Sequence, residues 1–251
     1  MAIDFRRKLR VGAETLRWFA RDLAHHASVF ADGARPTRFA VMSIWDERQA
    51  VLGTLTGPNK ASYCRRHGYT WLPFNAGFDP SRPVAWSKIM FIRRHLADYD
   101  WLMWSDADSA ITNPAIRLEN LVNRAGDLFI TSDGVGLNSG SFLIRNCAWS
   151  QGFLREAWEL PGTPAYHRHF DINSDRMWEN RAFLMLATAP AHRSHVRIVP
   201  QRRLNSYPPE FAAPHPGSAH APGDFVVHLP GLDEATRIRM LHRYLGLNPQ
   251  P

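Results

Sequence analysis

The sequence predicts an α/β protein with a Rossmann-like, mostly parallel central sheet flanked by helices. Three apolar, strand-like runs, "FAVMSIW" (39–45), "YTWLPF" (69–74) and "YDWLMW" (99–104), are separated by two segments of helical character. Strand, helix, strand, helix, strand is the rhythm of a parallel sheet. The bulk composition agrees: 251 residues, 45% hydrophobic and 21% charged, suit one large domain with an appendage and a substantial core.

The appendage comes first. Residues 1–36 begin with the basic stretch "RRKLR" (6–10), continue with Leu16, Phe19, Leu23, Ala27 and Phe30 at helical spacing, and end in the linker-like "ADGARPTR" (31–38). The main domain is expected over 37–251, with a first half over 37–114 and a second over 115–251. After the strand at 39–45, a polar helix-compatible segment ends at "RRHGY", where Gly68 suits a left-handed stop. The next helix is expected over "PVAWSKIMFIRRHLADY" (83–99), with Trp86, Ile89, Met90, Arg93 and Leu96 on one face. In the second half, "DLFITS" (127–132) and "SGSFLIRN" (139–146) read as strands joined by the glycine-rich "DGVGLN". "AWSQGFLREAWEL" (148–160) and "RMWENRAFLMLA" (176–187) read as helices, "HVRIVP" (195–200) and "DFVVHL" (224–229) as short strands around a proline-rich loop at 205–223. A closing helix is capped by Asp233 and stopped by Gly246.

A formal charge of +7 and a pI near 9.9 point to an anionic partner: nucleic acid, a membrane surface or a phosphorylated small molecule. The basic residues are scattered and no nucleic-acid-binding motif accompanies them, so nucleic acid is set aside. Cys64 and Cys147 alone make no disulfide framework and suit a reducing compartment. No apolar run spans a bilayer and no signal peptide is evident, so the expected location is cytoplasmic. The basic amphipathic start either packs on the body of the protein, the favoured reading because such short stretches are common, or makes peripheral contact with anionic membrane.

The chemistry concentrates in "WLMWSDADSAITNP" (101–114), where an apolar aromatic run meets Asp106 and Asp108. A buried strand has no use for unpaired carboxylates. Either the strand has ended in a solvated turn, or the carboxylates meet a cation. At the carboxyl end of a sheet strand, residues i and i+2 face the same side, and paired carboxylates with phosphate oxygens form the hard oxygen site that Mg²⁺ or Mn²⁺ prefers.

Four blocks carry a family resemblance: "RPVAWSKIMFIRRHLADYDWLMWSDADSAITNP" (82–114), "LNSGSFLIRNCAWSQGFLREAW" (137–158), "LNSYPPEF" (204–211) and "GDFVVHLPG" (223–231). In this order they resemble the galactosyl/mannosyl/xylosyl transferases of the GMA12/MNN10 family, glycosyltransferase family 34. The resemblance implies a GT-A fold, with the nucleotide-sugar half over 37–114 and the acceptor half over 115–251. It implies a retaining transfer of a hexose or pentose from a UDP- or GDP-sugar to a glycan or glycolipid. Asp106, Asp108 and His228 would hold Mn²⁺ or Mg²⁺, and imidazole beside carboxylates is acceptable to Mn²⁺. Lys88 would neutralise a phosphate, Asn138, Ser139 and Gly140 would approach the sugar closely, and Gly231 closes the metal block. Glu179 falls at the acidic position of the family's acidic-Gln pair near the transferred sugar. Asn180 replaces the Gln, with a shorter reach. Two other readings stand beside this one. A nucleotidyltransferase would show a glycine-rich loop after the first strand, and "FAVMSIWDERQ" has none. A non-catalytic glycan-binding relative would have no need of the intact Asp106, Asp108 and His228.

Overall fold

Strand β1 (Phe39–Ile44) is buried along its whole length, which is why its apolar side chains run continuously instead of alternating with polar ones. The computed structural model describes residues 37–215 and 217–247; the basic helical reading of 1–36 lies outside them. Strand β1 pairs in parallel with β2 (Thr70–Phe74) on one side and β3 (Trp101–Ser105) on the other. The first crossover is helix α1 (Ala50–His67), which ends where expected: Gly68 has φ 73° and returns its N–H to the Cys64 carbonyl. Arg65, Arg66 and His67 complement the negative end of the helix.

The second crossover holds helix α2 (Ser87–His95) between short 3₁₀ turns at Val84–Trp86 and Leu96–Asp98. Trp86, Ile89 and Leu96 are buried as predicted, but Phe91 and Ile92 complete the inward face. Met90 is only partly covered and Arg93 is exposed. A guanidinium without a buried partner stays in water, and that preference outweighs its position in the pattern.

The second half supplies β5 (Leu128–Ser132), β6 (Leu137–Arg145) and β7 (Val196–Val199), giving the order β2-β1-β3-β6-β5-β7. Only β6 runs against the others in this sheet. It reverses because the β5–β6 connection is a tight turn, pinned by the Asp133 carboxylate, which accepts from the N–H groups of Val135 (2.7 Å) and Gly136 (3.2 Å). One strand escaped the sequence reading, β4 (Ser109–Ile111); it pairs with β8 (Val226–His228), which lies within the strand expected over 224–229, in a separate two-stranded sheet. A strand of three residues is too short to show a period.

Helices α3 (Ala148–Glu159), α4 (Pro164–His167), α5 (Trp178–Ala187), α6 (Gln201–Leu204) and α7 (Glu234–Leu245) complete the described chain. Asp233 caps α7 by accepting from Thr236 N–H, and Gly246 ends it at φ 64°. The sheet's alternate residues feed two cores. Met42, Leu102, Trp104 and Phe142 pack with Trp86, Phe153 and Phe183 on one face. Val41, Met103, Phe129 and Leu143 pack with Tyr63, Leu204 and Phe225 on the other.

Leu102 is wholly buried on the strand between β1 and β6. Leu102→Ala is therefore expected to lower unfolding free energy by about 2–5 kcal/mol, measured by urea titration. Met103→Leu, which conserves volume, should cost less than about 1.5 kcal/mol.

Candidate active site

Because β6 opposes β3, the beginning of β6 lies beside the end of β3: Ser105 faces Ser141, and Asp106 N–H donates to the Gly140 carbonyl at 2.8 Å. A turn follows, closed by the N–H (3.1 Å) and hydroxyl (2.7 Å) of Ser109, both donating to the Asp106 carbonyl. Strand β4 then pairs with β8 so that Ser109 stands opposite His228. This register brings the imidazole to the carboxylates, with His228 Nε2 at 3.2 Å from Asp108 Oδ1 and 3.8 Å from Asp106 Oδ2. One ligand atom from each of the three residues lies within 4.8 Å of the others. Trp104, two residues upstream on the same side, donates its indole N–H to Asp106 Oδ1 at 2.7 Å.

The His228 ring lies directly over Gly140. A Cβ there would come within 2.1 Å of His228 Cε1. The close approach expected at Gly140 is thus made by this imidazole. Burial alone would raise the Asp108 carboxyl, but His228, Arg237 and Lys60 outweigh it and hold the group at about 2. Arg237 Nε lies 3.6 Å from Asp108 Oδ2. Lys60, from α1, is fully buried, and its burial pushes the amine down to about 7 against the pull of Asp106 and Asp108.

Beside the cluster sits a second buried cation. Lys88 is not on a solvated helical face: it is 3% exposed, and Nζ lies 2.6 Å from Glu179 Oε1, 3.0 Å from the Ser139 carbonyl and 3.1 Å from Asp106 Oδ1. All three ammonium protons have acceptors, so Lys88 bridges a carboxylate of the cluster to Glu179. Burial lowers its pKa, but Asp106 and Glu179 outweigh burial and leave it raised. Glu179 is equally buried and its carboxyl is raised, chiefly by that burial. Its Oε1 also accepts from the Ser139 hydroxyl at 3.1 Å, while Oε2 is buried with no hydrogen-bond partner among the described residues. Trp178, just before it, has φ 47°, the single positive value for a non-glycine among the described residues, and exposes its indole.

The remaining predicted residues organise the backbone around this centre. Asn180 accepts from Ser139 N–H (2.9 Å) and donates to the Leu137 carbonyl (2.7 Å), fastening α5 to β6. Asn138 accepts from Gly140 N–H (2.9 Å) and donates to Tyr207 Oη (2.7 Å) and Asp133 Oδ2 (3.0 Å). Gly231 takes φ 72° in the turn between β8 and α7, a conformational role that asks for glycine. A cavity of about 200 Å³ is lined by His228 together with Tyr207, Phe211, His215, Pro230 and Leu232. The sequence reading did not single out Lys60, Tyr207 or Arg237. A lone lysine or arginine on a polar helix carries no local mark of burial.

Solved structures place this arrangement among GT-A glycosyltransferase folds. The chain is similar to a glycosyltransferase involved in glycosylation of the major capsid of PBCV-1, with a TM-score of 0.65 at 14% identity, over 82% of this chain and 99% of that one. It is also similar to the galactosyltransferase LgtC, with a TM-score of 0.55 at 12% identity, over 84% and 97%. Residues 46–125 and 119–238 match the galactosyl transferase GMA12/MNN10 family, and the chain belongs to it. Among curated relatives, probable glycosyltransferase 6 of Oryza sativa subsp. japonica is 36% identical over 135 residues, 47% of this chain and 27% of that protein. Galactomannan galactosyltransferase 1 of Cyamopsis tetragonoloba is 34% identical over 124 residues, 44% and 28%. Probable alpha-1,6-mannosyltransferase MNN10 of Saccharomyces cerevisiae is 25% identical over 227 residues, 74% and 57%. The chain thus spans less than two thirds of the length of these relatives.

Gly140→Ala is expected to destabilise the protein by about 1–3 kcal/mol through overpacking against the ring. In a His228→Ala background the same change should cost less, with a coupling of about 1 kcal/mol or more in a double-mutant cycle read by denaturant unfolding.

Proposed function

We propose that the chain is a divalent-metal-dependent, retaining glycosyltransferase that moves a hexose or pentose from a UDP- or GDP-sugar to a glycan or glycolipid acceptor. The observation that carries this reading is the meeting of Asp106, Asp108 and His228 within 4.8 Å, beside the buried Lys88–Glu179 pair. Two carboxylates and an imidazole fit Mn²⁺, and less fully Mg²⁺, which prefers oxygen throughout. A cation held there supplies Lewis-acid neutralisation of the departing diphosphate. The names of relatives, a galactomannan galactosyltransferase, an alpha-1,6-mannosyltransferase and a xyloglucan 6-xylosyltransferase, make galactose, mannose and xylose the first donors to try.

The protein's own groups divide the remaining work. Lys88 holds Asp106 Oδ1 in place through their ion pair. Glu179 is held through Oε1 by Lys88 and Ser139, which leaves Oε2, buried and unpartnered, as the oxygen to serve the transferred sugar. A carboxylate there stabilises positive charge at the anomeric carbon during a same-face transfer, or attacks that carbon as the nucleophile of a two-step route. Either course returns the acceptor oxygen to the face the phosphate leaves. The aromatic cavity next to His228 is suited to seat the acceptor, since sugar rings lie well on aromatic faces lining a concave site.

Transfer would be measured with UDP-galactose, UDP-xylose, UDP-glucose and GDP-mannose, with Mn²⁺ and with EDTA. Turnover and nucleotide binding are expected to need the metal, and equal binding in EDTA would sink the reading. Asp108→Asn should abolish turnover in a folded protein. Glu179→Gln should lower kcat by about 10²–10³-fold with nucleotide affinity kept. Residues 6–10 are proposed to give peripheral contact with anionic membrane on its cytoplasmic side. Flotation with anionic vesicles should show association at low salt that disappears at high salt.

A further inference from the structure

Helix α1 presents a row of polar side chains to the backbone: Thr56 and Lys60 to the Asp106–Asp108 turn and Asn59 to strand β4 after it. Positions i, i+3 and i+4 share one helical face. Lys60 Nζ donates to the Asp106 carbonyl at 2.6 Å, with Ser43 Oγ and Thr56 Oγ1 at 3.4 Å. Thr56 Oγ1 lies 2.8 Å from the Ala107 carbonyl and 3.0 Å from the Leu52 carbonyl, and its one proton goes to the nearer. Asn59 donates to the Ile111 carbonyl (3.0 Å) and accepts from Ile111 N–H (2.8 Å), as a neighbouring strand would.

Thr56 and Lys60 are both fully buried. Burying an amine is costly, and a leucine or methionine would fill the same volume without that cost. The position is explained by what the amine holds. The two carbonyls it and Thr56 engage belong to Asp106 and to Ala107, the sole residue between the two carboxylates. Fixing successive peptide planes fixes the directions in which both carboxylates leave the backbone.

We propose that Thr56 and Lys60 are positioning residues that set the bite of Asp106 and Asp108 on a divalent cation, so that one face of α1 tunes metal affinity. This rests on the metal reading above. Groups that orient metal ligands from behind are worth about 10–100-fold in affinity or activity when removed.

The test is uptake of Mn²⁺ alone by the full chain, followed by electron paramagnetic resonance of the free ion, for wild type, Asp108→Asn, Thr56→Val and Lys60→Met. Thermal unfolding is recorded for each. Asp108→Asn should lose uptake. Thr56→Val and Lys60→Met should each weaken it by about tenfold or more. In turnover the KM for Mn²⁺ should rise by the same factor, while kcat at saturating Mn²⁺ changes by less than about threefold. Affinity equal to wild type in Thr56→Val or Lys60→Met, with Asp108→Asn still deficient, would overturn the positioning role and leave the metal site standing. Tighter uptake by Lys60→Met would also overturn it, leaving the lysine as a mere counter-charge. Should Lys60→Met fail to fold, Thr56→Val, which exchanges a hydroxyl for a methyl, decides alone. Wild-type uptake that Asp108→Asn does not reduce would overturn both readings.

Discussion

The interaction on which the site depends is the burial of the Lys88 ammonium between Asp106 and Glu179. An ammonium removed from water costs several kcal/mol unless its protons and charge are matched. Here the matching groups come from three places: the turn after β3, the Ser139 carbonyl on β6, and the first turn of α5. The helix carrying Lys88 is itself anchored by Trp86, Ile89 and Ile92 in the core. Loss of Glu179 or of Lys88 would leave its buried partner short of a counter-charge, which ties these four segments to a single arrangement. Asp106 then has one oxygen tied to Lys88 and the Trp104 indole, and the other aimed toward His228.

The same logic explains why Gly140 has no side chain. The imidazole must reach two carboxylates on the neighbouring turn, and the shortest route passes over the β6 backbone. Glycine at that point exchanges conformational restraint for proximity, and the Asn138 side chain restores some restraint by accepting from the Gly140 N–H. Asn138 in turn joins Tyr207 and Asp133, so the turn between β5 and β6 and the loop before β8 converge on one hydrogen-bonded knot.

Much of the fold was legible because its signals are local. The continuous apolar runs of β1 and β3, the glycine stops at Gly68 and Gly246 and the Asp233 cap each need only neighbouring residues to be read. Arg93 was misplaced on the inner face of α2 because periodicity alone does not weigh the solvation of a guanidinium. The short strands β4 and β8 were invisible as a pair, since their partnership is a fact of tertiary structure. At the site, Asp106 and Asp108 were found from their place at the end of an apolar strand and His228 through motif resemblance, and geometry brings them together. Lys60 was not found. Its sequence context is that of any exposed helical lysine, and its burial is decided by carbonyls some 46 residues further along the chain. Gly140 was noticed for its freedom of approach, but the ring that uses it lies on a distant strand.

The pairing of Ser109 with His228 joins segments more than a hundred residues apart. Closing a loop of that length is entropically unfavourable and contributes to slow folding in chains dominated by such contacts. The first three strands and α1 can assemble from nearby contacts, with the Asp106–Asp108 turn already formed on them. The imidazole arrives only when β8 docks, well after the sheet's first half has been synthesised. On the ribosome, a nascent chain carrying everything up to α6 therefore holds the two carboxylates without the imidazole. The meeting of the three side chains waits on the docking of β8, later than the folding of the sheet's first half.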